Sequence, residues 1–517
     1  MNQMKRLLAA VLICAGIAGL AGCGNTKTYP LKTGETLTYW MNWHRVGKAI
    51  APSMQATEFG KGLEERTGVK IEYIHPTGGN EEEYFELMIS SNSLPDIIEY
   101  EWDGVISGVS RQLSAGKIID LAPLLPQYAP DYKAWLERDD EARRLATTEN
   151  GKYPYFVGAY ADDYQTVYLG PFFRKDWLEE FGLQEPETID EWENTLRIFK
   201  EKKGAQAPLS LTQEMVENNA VIGAYGVGYL FYQEDGKVKY GPLETGFRDY
   251  VQRMAKWYRE GLLDSMYPLV DQARIEMNLF SGKTGAGFAY LGADIGTWQR
   301  KIKEQQLPIV LTGVKNPSLQ KGESAKIAPR NTRVISTYAA AVSTQCKSPK
   351  TAVRFLNYAY TEEGKRYFNF GIENVSYTMK DGVPTYTPLI TENPNMPMVN
   401  ALAMYTRASY GGPFIRDAQY TAQYYQDEIQ KEALHKWADN EAARYILPTM
   451  TVSEDTQWFS ARLEKMKKYQ REMVTKLMIG ELDMNQYDQF IQTLKDTYGI
   501  EEMIEVLQQF YDATQRN

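Results

Sequence analysis

The sequence predicts an α/β fold, and three observations lead to it. Residues 37–43 (LTYWMNW), 69–74 (VKIEYI) and 94–100 (LPDIIEY) are short runs rich in residues that suit a pleated surface. Helix-like segments at 54–67 and 81–91 separate them, the first closed by Gly68. Strand, helix, strand, helix, strand at this spacing implies βαβ units and a parallel sheet. At 517 residues the chain is too long for one typical domain and points to about two to four.

The chain is organised around residues 150–192, and within them 153–177. Gly151 to Pro154 form a turn into an extended run, Asp162-Asp163 interrupt it, and 166–169 (TVYL) resume it. Gly170-Pro171 then break the chain, and a helix opens near Arg174. Two extended runs, a polar loop and a helix can carry a chain from one lobe into another. A hinge is therefore expected here, with Tyr155, Tyr160, Asp162 and Asp163 facing a cleft.

The remaining elements follow in order. Residues 120–125 (DLAPLL) open a loop and helix. Segments 178–181 and 189–200 are short helices, with Asp190 as a candidate cap. Residues 209–211 form a short strand, 247–260 an amphipathic helix stopped by Gly261, and 275–282 another helix. A strand at 286–290 leads into 291–298 (LGADIGTW), and 308–313 returns as a strand before a Pro/Gly/Ser/Lys loop to about Ala328. A strand at 334–342 precedes helices at 349–360 and 362–370. From Tyr405 onward the chain is mostly helical, divided at Pro448. No internal repeat or low-complexity block is present.

Composition narrows the partners. With 43% hydrophobic and 24% charged residues the chain is ordinary globular protein, but 36 Tyr and 10 Trp are enough to line a groove as well as a core. A net charge of -10 without a basic block argues against nucleic acid, which rewards clustered Lys and Arg.

The N-terminus carries Lys5-Arg6, an apolar run from Leu7 to Leu20, and then Leu20-Ala21-Gly22-Cys23. The run suits a secretory signal better than a spanning helix. The last four positions resemble the bacterial lipobox, in which the Cys becomes the lipid-modified first residue. Residues 1–22 are expected to be the signal, Cys23 the lipid anchor, and 23–35 a tether at the extracellular face of the cell membrane. Cys14 would leave with the signal, so Cys346 has no partner and no internal disulfide is expected.

In a parallel sheet, ligands sit beyond the carboxyl ends of strands. A sugar offers flat CH faces, which aromatic rings cover, and hydroxyls, which carboxylates and Arg answer. Aromatics beside acids at strand ends are therefore the candidates: Trp40, Trp43, Trp102, Asp103, Tyr155, Asp162, Asp163, Tyr290, Asp294 and Trp298, with Arg407 and Tyr410 from 405–412 (YTRASYGG). Trp177 and Trp192 sit at apolar helical spacing and belong to the core, while Tyr424, Tyr425 and Trp437 are left open. His44, His75 and His435 are scattered, without the spacing of a zinc site. There is no GxSxG elbow and no phosphate loop. Adjacent Asp162 and Asp163 on an extended run would point to opposite faces, which disfavours a glycosidase pair.

Taken in order, LPDII (94–98), DLAPLL (120–125), GKY (151–153), FRKDWLEEFGL (173–183), PETIDEW (186–192), FSGK (280–283), YTEEGK (360–365), FGIE (370–373) and MIGEL (478–482) resemble the extracellular solute-binding lipoproteins of bacterial ABC importers, in their long, carbohydrate-type, LipO-like branch. The resemblance implies a two-lobed, type II periplasmic-binding-protein-like fold, each lobe a mixed sheet flanked by helices, with a hinge between. It places residues 36–154 and 312–360 in the N-terminal lobe and 155–311 and 361–517 in the C-terminal lobe. It adds Glu373, from the FGIE motif, to the candidates. Related alginate binders carry a calcium loop after the helix that here ends near Lys200. The present EKKGAQAP (201–208) lacks the oxygen ligands, so no metal is expected there.

The expected function is capture of a solute, an oligosaccharide foremost, by a lipid-anchored monomer that passes it to ABC permease subunits, without cofactor or catalysis. The alternatives are a surface carbohydrate-active enzyme and a receptor for a peptide or other small solute.

Overall fold

The computed structural model describes residues 29–76, 81–102, 108–148, 150–447 and 457–516. The signal-like run, Cys23, Asp103 and Pro448 fall outside them. Strands follow as β1 (Thr36–Trp40), β2 (Lys70–Ile74), β3 (Ile97–Tyr100), β4 (Phe156–Tyr160), β5 (Leu169–Arg174) and β6 (Leu209–Ser210). A hairpin of β7 (Phe231–Glu234) and β8 (Lys237–Tyr240) precedes β9 (Ala286–Tyr290), β10 (Leu311–Gly313) and β11 (Val334–Val342). A second hairpin, β12 (Tyr377–Lys380) and β13 (Val383–Tyr386), comes before β14 (Ile415–Arg416).

Two sheets divide the molecule. One has the order β14-β4-β11-β3-β1-β2, the other β10-β5-β9-β6. In the first, β1 runs parallel to β2 and β3, as the βαβ spacing requires, and β11 returns antiparallel between β3 and β4. The helix between β1 and β2, Glu58–Thr67, starts because the Thr57 hydroxyl accepts the Gly60 N–H at 2.9 Å. It stops at Gly68, whose φ of 69° is left-handed. Helix Ile189–Lys203 is capped by Thr188, with Glu191 closing the capping box, so Asp190 is not the cap.

Each sheet has its own core. Buried apolar residues of the first come from 31–159 and 334–420. Those of the second come from 167–314, Ile327, Ala433, Trp437 and 459–507. The chain thus crosses between lobes three times: from β4 to β5, from β10 to β11, and between Tyr420 and Ala433. The first crossing falls in the stretch read as a hinge. The lobe boundaries at 154/155, 311/312 and 360/361 need correction. β4 pairs with β11 and β14, so it belongs to the first lobe. β10 pairs with β5, so the return follows Gly313. Helix Glu362–Phe370 is capped by Thr361 and sends Phe368 and Phe370 into the first core, holding 361–420 there.

A second correction concerns Gly170-Pro171. They do not break the chain but lie inside β5, paired with Ala289 and Phe288 of β9. Trp437 explains the glycine: its buried ring lies against the strand at this position, and its Nε1 donates to the Pro171 carbonyl at 2.9 Å. A Cβ at position 170 would sit 2.1 Å from Trp437 Cδ2. Gly170→Val is therefore expected to lower stability by about 1–3 kcal/mol through overpacking, read as a lower thermal midpoint.

Candidate binding cleft

Most of the aromatics picked from the sequence turn inward. Trp40 packs on Phe85 and Tyr100, with ring centroids 6.1 and 5.7 Å away. Trp102 is fully buried, meets Phe85 edge-on and donates its Nε1 to the Ala339 carbonyl at 2.9 Å. Trp43 donates to the Ala51 carbonyl at 2.8 Å, and Trp298 donates to Glu276 at 3.1 Å against Phe172. Tyr155 donates to the Leu145 carbonyl at 3.2 Å. All five are core, and the polar group of Trp43, Trp102, Trp298 and Tyr155 finds a protein partner while the rest of the ring is buried. Arg407 is also internal: it ion-pairs with Glu99, which accepts the Tyr39 hydroxyl at 2.7 Å. Tyr410 is buried over that guanidinium and against Trp43.

The acids divide differently. Asp162 caps the turn Asp163–Thr166, accepting the Gln165 N–H at 3.2 Å, and Asp163 is exposed. Glu373 is exposed on the turn before β12 and accepts the Tyr377 hydroxyl at 3.5 Å. Tyr290 stays half-exposed, and Asp294 is buried and accepts its backbone N–H.

Around these cores the strand ends nearest the crossings carry a second set of groups. In the second lobe, Tyr168 precedes β5 and Tyr290 ends β9; their rings stack 5.9 Å apart at 24°. Tyr290 donates its hydroxyl to Glu214 at 2.6 Å, and its backbone N–H goes to Asp294 at 2.8 Å. Burial raises the Tyr168 phenol to about 12, helped by Glu214. At the hinge, Tyr160 ends β4 with the Arg416 guanidinium 5.3 Å from its ring centre. Tyr424 packs on the first core and Tyr425 on the second, edge to face at 5.3 Å. This pair bridges the lobes.

In the first lobe, Asn42 follows β1 and donates to Glu81 Oε2 at 2.5 Å. The other oxygen, Oε1, is buried and has no hydrogen-bond partner among the described residues. Burial raises the Glu81 carboxyl, and the Asn42 bond opposes it. Such an orphan costs roughly 1–3 kcal/mol and is the acceptor a hydroxyl would satisfy. Tyr338 adopts φ 63° in β11, where the register with β4 shifts between Ile335 and Ala340. A bulky residue in the left-handed region is strained and aims its side chain away from the regular pleat. Burial, then the fields of Glu81, Glu101 and Glu99, raise its phenol.

Glu81, Tyr338, Tyr168 and Arg416 were missed by the sequence reading. Glu81 reads as an ordinary first-turn acid of helix Glu81–Ser91, and the bulge at Tyr338 has no Gly or Asn to mark it. Tyr168 was the one with a signal, since it follows the hinge loop.

Asp294 makes a pH-dependent contribution. Burial, first, and then Glu276 raise its carboxyl from 3.8 to about 6, against the Tyr290 N–H. A carboxyl raised by folding supplies stability that is full below about pH 4 and is lost as pH rises through about 6. Asp294→Asn keeps an acceptor for Tyr290 and cannot ionise. It should melt higher than the parent at pH 8, and the difference should vanish by pH 4, as differential scanning fluorimetry would show.

Two α/β lobes, crossed three times by the chain and carrying tyrosines and carboxylates at the strand ends beside the crossings, define a two-lobed binding protein. The chain belongs to the bacterial extracellular solute-binding protein family, whose profile matches residues 48–366, more than half of the chain. Lipoprotein LipO of Bacillus subtilis is 22% identical over 517 residues, with 96% of each chain covered. The fructooligosaccharide ABC transporter substrate-binding protein FusA of Streptococcus pneumoniae is 26% identical over 282 residues. That match spans 50% of this chain and 52%, about half, of FusA. The crystal structure of alginate-binding protein AlgQ2 without calcium superposes with a TM-score of 0.72 at 22% identity, covering 94% of this chain and 99% of that one. At that identity the likeness establishes the fold.

Proposed function

We propose that this chain is the receptor of an ABC importer, closing its lobes on an oligosaccharide and delivering it to the permease. The observation that carries the reading is the set of half-exposed tyrosine faces and carboxylates at the strand ends beside the crossings, with Glu81 Oε1 left without a partner. Rings cover sugar CH faces, and an unmatched buried acceptor selects for a hydroxyl. Tyr290, Asp294, Tyr168, Glu81 and Tyr338 are the proposed contacts, with Tyr160, Arg416, Tyr424 and Tyr425 at the floor. Lobe closure follows because a solute touching both walls stabilises the closed form. FusA, a fructooligosaccharide binder by name, makes fructooligosaccharides the first ligands to try.

The receptor acts as a monomer, lipid-anchored through Cys23 at the outer face of the membrane, and performs no chemistry. Asp162 is committed to a turn and Glu214 to Tyr290, which leaves them poorly placed as an acid/base pair. Calorimetry against a panel of neutral and acidic glycans and peptides, with a hydrolysis assay on each hit, tests the reading. Saturable glycan binding without turnover is expected. Turnover of a glycan would reject the receptor role, and binding of peptides alone would reject the sugar assignment.

A further inference from the structure

A polar recess of about 380 Å³ lies where the first two crossings meet parts of both lobes. The first lobe supplies Arg144, from helix Asp140–Leu145. The crossings supply Asp163, Arg330 and Arg333, and the second lobe supplies Tyr511 from its last helix. It shares no lining residue with the proposed sugar contacts, though Asp163 was a candidate from the sequence.

Its three arginines are not equivalent. Arg333 is fully engaged, with two bonds to Asp139 at 2.8 and 2.6 Å and an ion pair to Glu141 at 2.9 Å. Among the described residues Arg144 and Arg330 have no ion-pair partner, and the buried Nε of each has no acceptor. Desolvation lowers both guanidinium pKa values, most strongly offset by Glu141 for Arg144 and by Asp163 for Arg330. Glu141 is already held by Arg333, and Asp163 is exposed to water. Two half-buried guanidiniums thus share one recess with donors unspent. A guanidinium is a rigid fork matched to the oxygens of a carboxylate or phosphate, and an unmet buried donor is costly.

We propose that this recess is an oxyanion site, in which Arg144 and Arg330 together hold the carboxylate or phosphate group of a small anion. Because Arg144 belongs to the first lobe and Tyr511 to the second, the shape of the recess depends on the angle between lobes. An anion held there favours one lobe angle and so couples to solute capture.

Titration of the whole protein at low salt with inorganic phosphate and, separately, with galacturonate tests this without any oligosaccharide. The expected result is a saturable rise in thermal midpoint with at least one of the two. Binding of phosphate alone would identify a phosphate source, and binding of galacturonate a carboxylate source. Arg144→Gln and Arg330→Gln should each weaken that binding at least tenfold, while both variants melt no lower than the parent in the absence of anion, having lost an unpaired charge. Arg144→Lys, which keeps the charge but not the fork, should fall between. Saturation by neither anion, unchanged affinity in both Gln variants, or variants that fail to fold would each overturn the proposal. Failure of glycan binding in the separate panel would leave these outcomes unaffected.

Discussion

Tyr290→Ala is expected to cost the protein about 2 kcal/mol or more of affinity for its oligosaccharide, roughly thirtyfold, as befits an aromatic at the centre of a contact. Its side chain and backbone are held in advance at three points. The backbone N–H is tied to Asp294, the ring lies on Tyr168, and the hydroxyl is bonded to Glu214. A ring positioned before the solute arrives loses little entropy on binding, so its full contact area counts toward affinity. Because Tyr290 is only half-buried, the fold should survive its truncation. Tyr290→Phe keeps the face, removes the bond to Glu214, and should lose less. Calorimetry on the three proteins decides the matter. Equal affinities would remove Tyr290 from the site.

Arg407→Met should destabilise the first lobe by about 3–5 kcal/mol, the penalty for stranding one member of a buried ion pair. Glu99 and Arg407 are both nearly inaccessible, at 3% and 4% of side-chain surface. The guanidinium also lies over Tyr410 and faces Gly412, where a Cβ would come within 2.7 Å of it. Removing it leaves a carboxylate in the core with, among the described residues, Tyr39 as its remaining donor. The double variant Glu99→Leu, Arg407→Met removes both charges and should recover most of the loss. Urea unfolding of single and double variants measures this. A single variant as stable as the parent would contradict the description of this core.

How far the sequence reaches can be seen in these same residues. The parallel start of the first sheet was readable because strand alternation, the turn at Gly68 and the helix between them are local signals. So was the crossing after Tyr160, where extended runs flank a polar loop. The lobe assignment of 361–420 was not readable, because it depends on where Phe368 and Phe370 pack, many residues from their neighbours in sequence. Trp40, Trp43, Trp102 and Trp298 show the same limit. An aromatic at a strand end can turn toward the gap or toward the core, and the choice is made by a distant acceptor such as the Ala339 carbonyl for Trp102. Tyr290 stays half-exposed because its hydroxyl bonds to Glu214, itself an exposed residue.

The central claim is that two separately built lobes close on a sugar. Small-angle X-ray scattering with and without a glycan that calorimetry shows to be bound tests it most directly. The account predicts a smaller radius of gyration at saturation. An unchanged radius with the glycan fully bound would contradict it.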